Sequence, residues 1–450
     1  MINVKVKALG AVLAALAIVN CHADEAEEPG EGTLFRSLFG DTLERDHGIT
    51  VSNLLDVAYT RNNRSTRAER KDGLSNLPIT GMSDEGLELG SLHLFIDKPL
   101  AATFVPRITP LPGPRPDAVA WGFTLEFNYG RNAQFARTYG WDQSLHMNQQ
   151  DNLRAQRDKD YFLAVPNAAL TLYLPYGPGV SFMAGVFGPA MGYEIPPNIR
   201  LARNPFASKT YAFVSEPGTV AGVLASSRVY NGDAGLLGLE LGVVQGWNNL
   251  RDNNNDKSLT GAVRWRSADM NTWVDYEFMV GNEQDDSLGD VQAPPSRVIA
   301  ASGQLKQQHS LNGWHQFNAR WSMGAELVYG HQAGDGKAST VDVLTGPGFD
   351  GASWWGANAV VTYQLRKDLA WSLRGEHFSD PEGFALFPTT TARGAFNALT
   401  SGVRYDMNKH LSLRPELRYD WFKGGDDQRP FGNGRDRTQL TAMVEALYYF

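Results

Sequence analysis

Charged side chains spaced two residues apart are the most chemically suggestive pattern in this sequence. Near the C-terminal end, leucines and aromatic residues alternate with Arg414, Glu416, Arg418 and Asp420. A period of two is that of a β-strand, in which successive side chains point to opposite faces. One face of this segment is therefore predicted to be charged and the other apolar. A charged face of this kind attracts, orients or excludes ions in water.

The same alternation places charged residues on the inward face of other predicted strands. A charge buried without a partner would be expensive, so this face requires water or networks of ion pairs around it. Water would make the interior a channel, whereas a closed interior braced by arginine and carboxylate ladders is the alternative. The residues predicted to line a pore are Arg264, Arg266, Asp275, Glu277, Arg374, Glu376, Arg404, Asp406, Arg414, Glu416, Arg418 and Asp420.

Catalytic and metal-binding patterns are missing from the sequence. The histidines show no metal-ligand spacing, and no G-x-S-x-G elbow occurs. Asp252, Asn254 and Asp256 are spaced like the start of a calcium loop, but Lys257 stands where that loop requires glycine. We therefore predict a solvated loop there, with no catalytic residue, no metal and no cofactor.

The first 23 residues have the pattern of a secretory signal. Lys5 and Lys7 precede an apolar run over residues 8–19, and residues 21–23 supply a small-x-small cleavage site. A lipoprotein with an acylated Cys21 is the alternative. The predicted divisions of the chain are a signal peptide at 1–23, a periplasmic segment at 24–47 and a transmembrane β-barrel at 48–450.

Removal of the signal makes the chain more acidic. The signal carries two lysines and no acid, so the net charge of −8 becomes −10. An acidic chain lacks the basic face that phosphate binding requires, so we predict no nucleic-acid partner. The single cysteine would leave with the signal. Between residues 34 and 43, leucines and phenylalanines predict a short amphipathic helix ahead of the barrel.

Alternation with a period of two dominates the rest of the sequence. No later segment approaches the run of about 20 apolar residues that a helical membrane span requires, so a bilayer would have to be crossed by strands. We predict an all-β, antiparallel up-and-down transmembrane barrel of about 16 strands, within a range of about 14–18. The predicted strands are 48–59, 86–97, 119–129, 161–174, 180–187, 219–230, 236–247, 258–266, 271–281, 302–315, 321–330, 355–366, 369–379, 398–406, 411–422 and 438–450.

The connections between the predicted strands support this barrel. Long connections at 423–437 and 380–397 alternate with short ones at 407–410 and 367–368, as expected for extracellular loops and periplasmic turns. The proline-rich residues 98–118 disobey, because this connection is too long for its periplasmic position, and the first two strands fit the pattern least. The aromatic residues predicted to form girdles at the membrane interfaces are Tyr129, Trp247, Trp265, Tyr329, Trp355, Tyr419 and Trp421.

Several stretches of the sequence resemble the OmpL-like porins, a family of outer-membrane β-barrel porins. They are RNPFASKTYAF (203–213), LGVVQGWNNLRDNNNDKSLTG (241–261), LRGEHFSDPEGF (373–384) and LSLRPELRYDWF (411–422). Their order and spacing carry the resemblance. It implies a porin-type channel in the outer membrane of a Gram-negative bacterium, with no particular solute and no fixed oligomeric state.

The terminal strand adds a second resemblance. An alternating strand that stops at Phe450 is similar to the C-terminal signal of bacterial outer-membrane barrels. We therefore expect the barrel-assembly machinery to read Phe450. Outer-membrane lipid and lipopolysaccharide are the other expected contacts.

Residues 188–218, which join the fifth and sixth predicted strands, would form the third extracellular loop. In general porins this loop folds into the barrel and narrows it, and opposed charges set a field across the opening. By position, the loop is predicted to do the same against the wall that carries Arg374, Arg404, Arg414 and Arg418, whereas an exposed loop is the alternative. Its residues predicted to act there are Glu194, Arg200, Arg203, Lys209 and Glu216.

These features together predict an exported porin through which small hydrophilic solutes diffuse passively, filtered by size and charge. No enzymatic activity is expected. A plugged structural or receptor barrel whose loops bind a partner is the alternative, and a barrel enzyme assembled from distant loops is less favoured.

Overall fold

The computed structural model describes residues 41–63, 86–142, 162–189, 191–194, 204–252, 254–283, 303–334, 350–386, 390, 392–432 and 434–450. These residues contain two short α-helices, α1 (Thr42–His47) and α2 (Tyr211–Val214), and a 3-10 helix (Asn132–Ala136). No helix in these ranges is long and apolar enough to cross a membrane. The strands are β1 (Thr50–Asn62), β2 (Gly86–Lys98), β3 (Ala120–Gly130), β4 (Phe162–Leu174), β5 (Val180–Phe187), β6 (Val220–Gly232), β7 (Gly235–Val244), β8 (Ser258–Arg266), β9 (Thr272–Asn282), β10 (Leu305–Gln316), β11 (Trp321–Ala333), β12 (Gly351–Arg366), β13 (Leu369–Asp380), β14 (Gly394–Asp406), β15 (Leu411–Gly424) and β16 (Thr438–Tyr449).

All sixteen predicted strands are confirmed, most of them with ends within three residues of the prediction. The largest differences are the starts of β12 and β14, each four residues earlier than predicted. Of the amphipathic helix predicted between residues 34 and 43, only positions 41–43 fall in the structure, as the N-cap and first two residues of α1. The rest of that helix lies outside the described residues.

The sixteen strands form one closed antiparallel barrel. Each strand pairs with its neighbours along the chain, and β1 closes the cylinder against β16. At the seam, Asn53 and Phe450 exchange backbone hydrogen bonds of 3.1 and 3.2 Å. Closure is required in hydrocarbon, because each unpaired N–H or C=O at an open edge costs several kcal/mol. The predicted fold class is confirmed.

Side chains alternate between an apolar outer face and a polar inner one. On β15, Leu417 and Tyr419 are 51% and 44% exposed, whereas Arg418 between them is 2% exposed. Tyr329 and Trp355 are also exposed, as expected of girdle residues. The period of two thus separates a lipid-facing surface from the interior of the barrel.

Trp247 does not belong to the outer girdle, and that prediction is wrong. Strand β7 ends at Val244, and the chain beyond it turns inward. The Trp247 ring is 8% exposed and packs with Val244 and Met279. The Lys306 ammonium lies 3.5 Å from the ring centroid, a cation–π contact on the inner side of the wall.

One end of the barrel has short turns and the other has long loops, with one exception. The β2–β3 connection, residues 99–119, lies at the short-turn end, yet it is as long as a loop. Strands β1 and β2 are both confirmed, so the connection itself is unusual. Residues 103, 104, 106 and 110 of this segment are buried, because it enters the barrel instead of turning at its rim. We call residues 99–119 the strap.

Candidate functional site

The inner wall carries the residues that the sequence predicts to line a pore. Ten of the twelve are buried, with exposed fractions of 8% or less. The other two, Arg404 and Asp406, lie at the short-turn end of β14, where Nε and Oδ1 are 2.9 Å apart and the side chains are 31% and 40% exposed. The ten buried residues are Arg264, Arg266, Asp275, Glu277, Arg374, Glu376, Arg414, Glu416, Arg418 and Asp420.

Ion pairs join neighbouring strands at β8 and β9. Arg264 Nη1 lies 2.7 Å from Asp275 Oδ2 and 2.8 Å from Glu277 Oε1. Glu240 of β7 lies on the other side of Arg264, at 3.9 Å. Arg266 also pairs with Asp275, at 2.5 Å. Buried charges are tolerated only when each is paired and hydrogen-bonded in this way.

The described part of the 188–218 loop lies against this wall, inside the barrel. Wall carboxylates accept hydrogen bonds from the backbone N–H groups of the loop. These bonds run from Gly192 to Glu277 (2.8 Å), from Tyr193 to Glu326 (2.9 Å), from Ala207 to Glu416 (2.8 Å) and from Tyr211 to Glu376 (2.9 Å). The loop is therefore held by β9, β11, β13 and β15.

Wall arginines hold the same loop by its carbonyl groups. They donate hydrogen bonds from Arg374 to Ser208 O (2.9 Å), from Arg414 to Asn204 O (2.5 Å) and from Arg418 to Lys209 O (3.1 Å). The opposite charges of the wall thus match the two kinds of backbone group. Glu277, Glu326, Glu376 and Arg418 lie near the middle of their strands, so the described part of the loop reaches the middle of the barrel wall.

Three of the five predicted loop residues are described, and all three are buried. Glu194 accepts a hydrogen bond from Arg374 at 2.7 Å. Burial lowers the pKa of Lys209 to about 8. Burial raises the pKa of Glu216 well above its usual range, and the negative charges of neighbouring carboxylates add to this rise. Arg200 and Arg203 lie outside the described residues.

Comparison with known proteins identifies the family. A family model described as "Putative beta-barrel porin-2, OmpL-like" matches residues 48–450. The chain belongs to this family. It is an outer-membrane porin, in contact with membrane lipid and passing small solutes. In such barrels short turns face the periplasm and long loops face the cell exterior.

The fold of this OmpL-like porin is also that of solved outer-membrane proteins. The outer membrane channel DcaP of Acinetobacter baumannii is 12% identical with a TM-score of 0.54, covering 89% of this chain and 97% of its own. OprB of Pseudomonas putida is 12% identical with a TM-score of 0.53, covering 92% and 97%. OmpT of Vibrio cholerae, in a trimer form, is 10% identical with a TM-score of 0.50, covering 89% and 99%. No curated protein matches the sequence.

The inward face of the porin is predominantly acidic. Among the buried residues that the structure describes, sixteen are aspartate or glutamate and seven are lysine or arginine. Within the same ranges, no group of three or more His, Cys, Asp or Glu side chains could hold a metal ion. The acidic excess of the whole chain is therefore also present inside the barrel.

The sequence prediction missed two carboxylates and one glycine of this site. Glu326 binds the loop, and Glu445 pairs with Arg414 through Nε at 2.5 Å. Both are buried on the inner face, so counting alternate residues along β11 and β16 would have found them. Gly324 makes room for the Tyr193 ring, which a Cβ there would overlap. A glycine at an inward strand position is the signal for such a close approach.

Proposed function

We propose that the 188–218 loop is the constriction of this porin and that small hydrophilic solutes diffuse passively past it. The observation that carries the proposal is the double attachment of the loop, by wall carboxylates to its N–H groups and by wall arginines to its carbonyls. A loop fixed in this way keeps its distance from the opposite wall, so it filters by size. Wall residues such as Arg374 and Arg418 then act by holding the loop as well as through their charge.

We further propose a preference for cations and no enzymatic activity. Even without Glu216, fifteen buried acidic side chains outnumber seven basic ones among the described residues, which supports the preference because a cleft with one sign of charge concentrates counter-ions. In planar bilayers with a potassium chloride gradient, the purified protein is expected to give discrete ohmic steps and a reversal potential of cation-selective sign. Silent membranes would favour a plugged receptor barrel, for which the burial of the inward Arg264, Arg374 and Arg418 to 2% exposure is the supporting observation. Liposome swelling with neutral sugars of increasing size would give the cut-off.

Lys209 is expected to make this selectivity depend on pH. Burial lowers its pKa to about 8. The nearby Arg374 and Arg414 lower this pKa further, whereas Glu194 and Glu445 raise it. Lys209 is therefore mainly cationic below about pH 8 and mainly neutral above it, so cation preference should rise between about pH 7 and pH 9. Because the pKa is depressed from 10.5, the folded state should also gain stability as pH rises from about 8 to 10.5.

Two substitutions of Lys209 test this pH dependence by reversal potentials measured across the same range. Lys209→Met should be cation-preferring at every pH, and Lys209→Arg should stay at the low-pH value because an arginine does not deprotonate. If the reversal potential of Lys209→Met still changes with pH as that of the wild type does, Lys209 is not the source of the pH dependence.

The route to the membrane is part of the proposal. We propose that residues 1–23 direct export and are removed, that 24–47 lie in the periplasm, and that the barrel-assembly machinery reads Phe450. Lipopolysaccharide is the proposed contact of the long loops. The pairing of Phe450 with Asn53 at the seam supports a role for this end of the chain in assembly.

A further inference from the structure

The strap enters the barrel from the periplasmic end as a hairpin of its own. Its neck is closed by a hydrogen bond of 2.7 Å from Leu111 N–H to Thr103 O. Its tip is a turn closed by Ile108 N–H to Val105 O at 3.0 Å. We call residues 103–111 the strap hairpin. Because its two ends meet, it is a separate insert between β2 and β3.

The backbone at the tip of the strap hairpin is unusual. Pro106 precedes Arg107, whose φ is +70°. This is the conformation that a type II turn requires at its third position, where glycine or asparagine is normally found. A side chain is kept in such a strained conformation when the surrounding structure holds it, and such positions cluster at functional sites. The surrounding structure thus holds an arginine, Arg107, at a tip position that glycine would normally occupy.

The strap hairpin is fixed to the inner wall by β6, β7 and β8. The Phe104 ring fills the space above Gly238, where a Cβ would lie 2.5 Å from it. Ser226 donates a hydrogen bond to Phe104 O at 3.2 Å, and Arg266 donates one to Thr109 Oγ1 at 3.1 Å. These contacts are all inside the barrel, so the hairpin occupies part of the interior.

Arg107 reaches the middle of the barrel wall. Its N–H donates to Glu240 Oε2 at 2.5 Å, and its guanidinium donates to Asn167 Oδ1 at 3.0 Å. Glu240 and Asn167 lie in the middle of β7 and β4. A Cβ on Gly188, at the start of the 188–218 loop, would lie 3.0 Å from Arg107 Nη2. The tip of the strap hairpin thus meets the beginning of the loop.

We propose that the strap hairpin is a second constriction of the channel, inserted from the periplasmic end, and that Arg107 sets its charge. The 188–218 loop is attached to β9, β11, β13 and β15, whereas the strap hairpin is attached to β4, β6, β7 and β8. The two inserts therefore narrow different, adjoining sectors of the barrel. A solute passes between a loop that enters the barrel from the extracellular end and a hairpin that enters it from the periplasmic end. This goes beyond the constriction by the 188–218 loop and does not depend on it.

Excision of the hairpin tests the size of the second constriction. Residues 104–110 are replaced by two glycines, which the closed neck allows without moving β2 or β3. Single-channel conductance should rise about twofold, and liposomes should swell with larger sugars than the wild type admits. The matched control replaces Pro112 and Pro114, which are exposed on the same strap, with serine and should conduct like the wild type. The excision variant must first be shown to fold, by its heat-modifiable gel mobility. If it then has the conductance and the sugar-size cut-off of the wild type, the proposal is overturned.

Point variants test the charge without removing the hairpin. Arg107→Gln should shift the reversal potential toward cations, and Arg107→Glu should shift it further. Arg115→Gln removes the same charge from an exposed position of the strap and should leave the reversal potential unchanged. Equal reversal potentials for Arg107→Gln and Arg115→Gln would refute the role of Arg107, and these variants decide the matter if the excision variant does not fold. Conductance of the wild-type protein in the same bilayers tests the porin function itself. A failure of the strap proposal can therefore be told apart from a failure of the channel function.

Discussion

Replacing Arg264 with methionine is expected to lower the free energy of unfolding by about 3–5 kcal/mol, the usual result of removing one partner of a buried ion pair. Arg264 is 2% exposed and bonds Asp275 and Glu277 at 2.7 and 2.8 Å, with Glu240 at 3.9 Å. The substitution leaves carboxylates of two strands facing each other with one cation fewer. Urea unfolding of the protein in detergent micelles, followed by tryptophan fluorescence and gel mobility, measures the change.

The matched control for this stability effect is Arg366→Gln. Arg366 pairs with Asp368 at 3.0 Å, but the two side chains are 60% and 42% exposed at a periplasmic turn. Exposed pairs of this kind contribute about 0–1 kcal/mol. Similar losses in the two variants would show that the interior of the barrel screens charges as water does, and the buried-pair argument would then fail.

Replacing Arg374 with methionine is expected to raise single-channel conductance about twofold or more, because it frees the constriction loop. Arg374 holds Glu194 at 2.7 Å, Ser208 O at 2.9 Å and Ser208 Oγ at 3.0 Å. Losing all three bonds at once also leaves the Glu194 carboxylate buried without this cation. The loop is then expected to leave the wall, with a wider and noisier channel as the result.

The control for the loop effect is Arg404→Met on the neighbouring strand β14. Arg404 bonds Asp406 at 2.9 Å and is part-exposed near the periplasmic rim. Removing it deletes the same charge and leaves in place every hydrogen bond described above for the 188–218 loop, so conductance should stay close to the wild-type value. If a folded Arg374→Met variant has the same conductance and noise as Arg404→Met, the loop does not limit the channel.

The barrel could be predicted from the sequence because lipid imposes a rule on every strand. A side chain facing hydrocarbon must be apolar and its neighbour faces the interior, so the period of two is repeated in each strand. This rule identified all sixteen strands and put Arg264, Arg374 and Arg418 on the inner face. The rule says nothing of what covers that face, so the burial of these residues under the loop was not predictable from it.

The two inserts differed in how far the sequence revealed them. The 188–218 loop could be proposed as a constriction only from its place as the third long loop. The strap has no periodic pattern, because its six prolines cannot donate to a β-ladder, and its excess length was its only signal. Trp247 was misplaced because the predicted strand 236–247 extends three residues beyond the end of β7 at Val244, where the chain turns inward.

The seam between β1 and β16 has a consequence for how the molecule is made. Asn53 and Phe450, which meet there, are 397 positions apart in the chain. Every residue from Asn53 to Phe450 must therefore be synthesised and delivered before the cylinder can be sealed. Until then the first strand has an exposed ladder of bonding groups, which is a template for aggregation. Contacts between such distant segments also form slowly. A periplasmic chaperone that prevents aggregation is therefore expected to be needed most at β1.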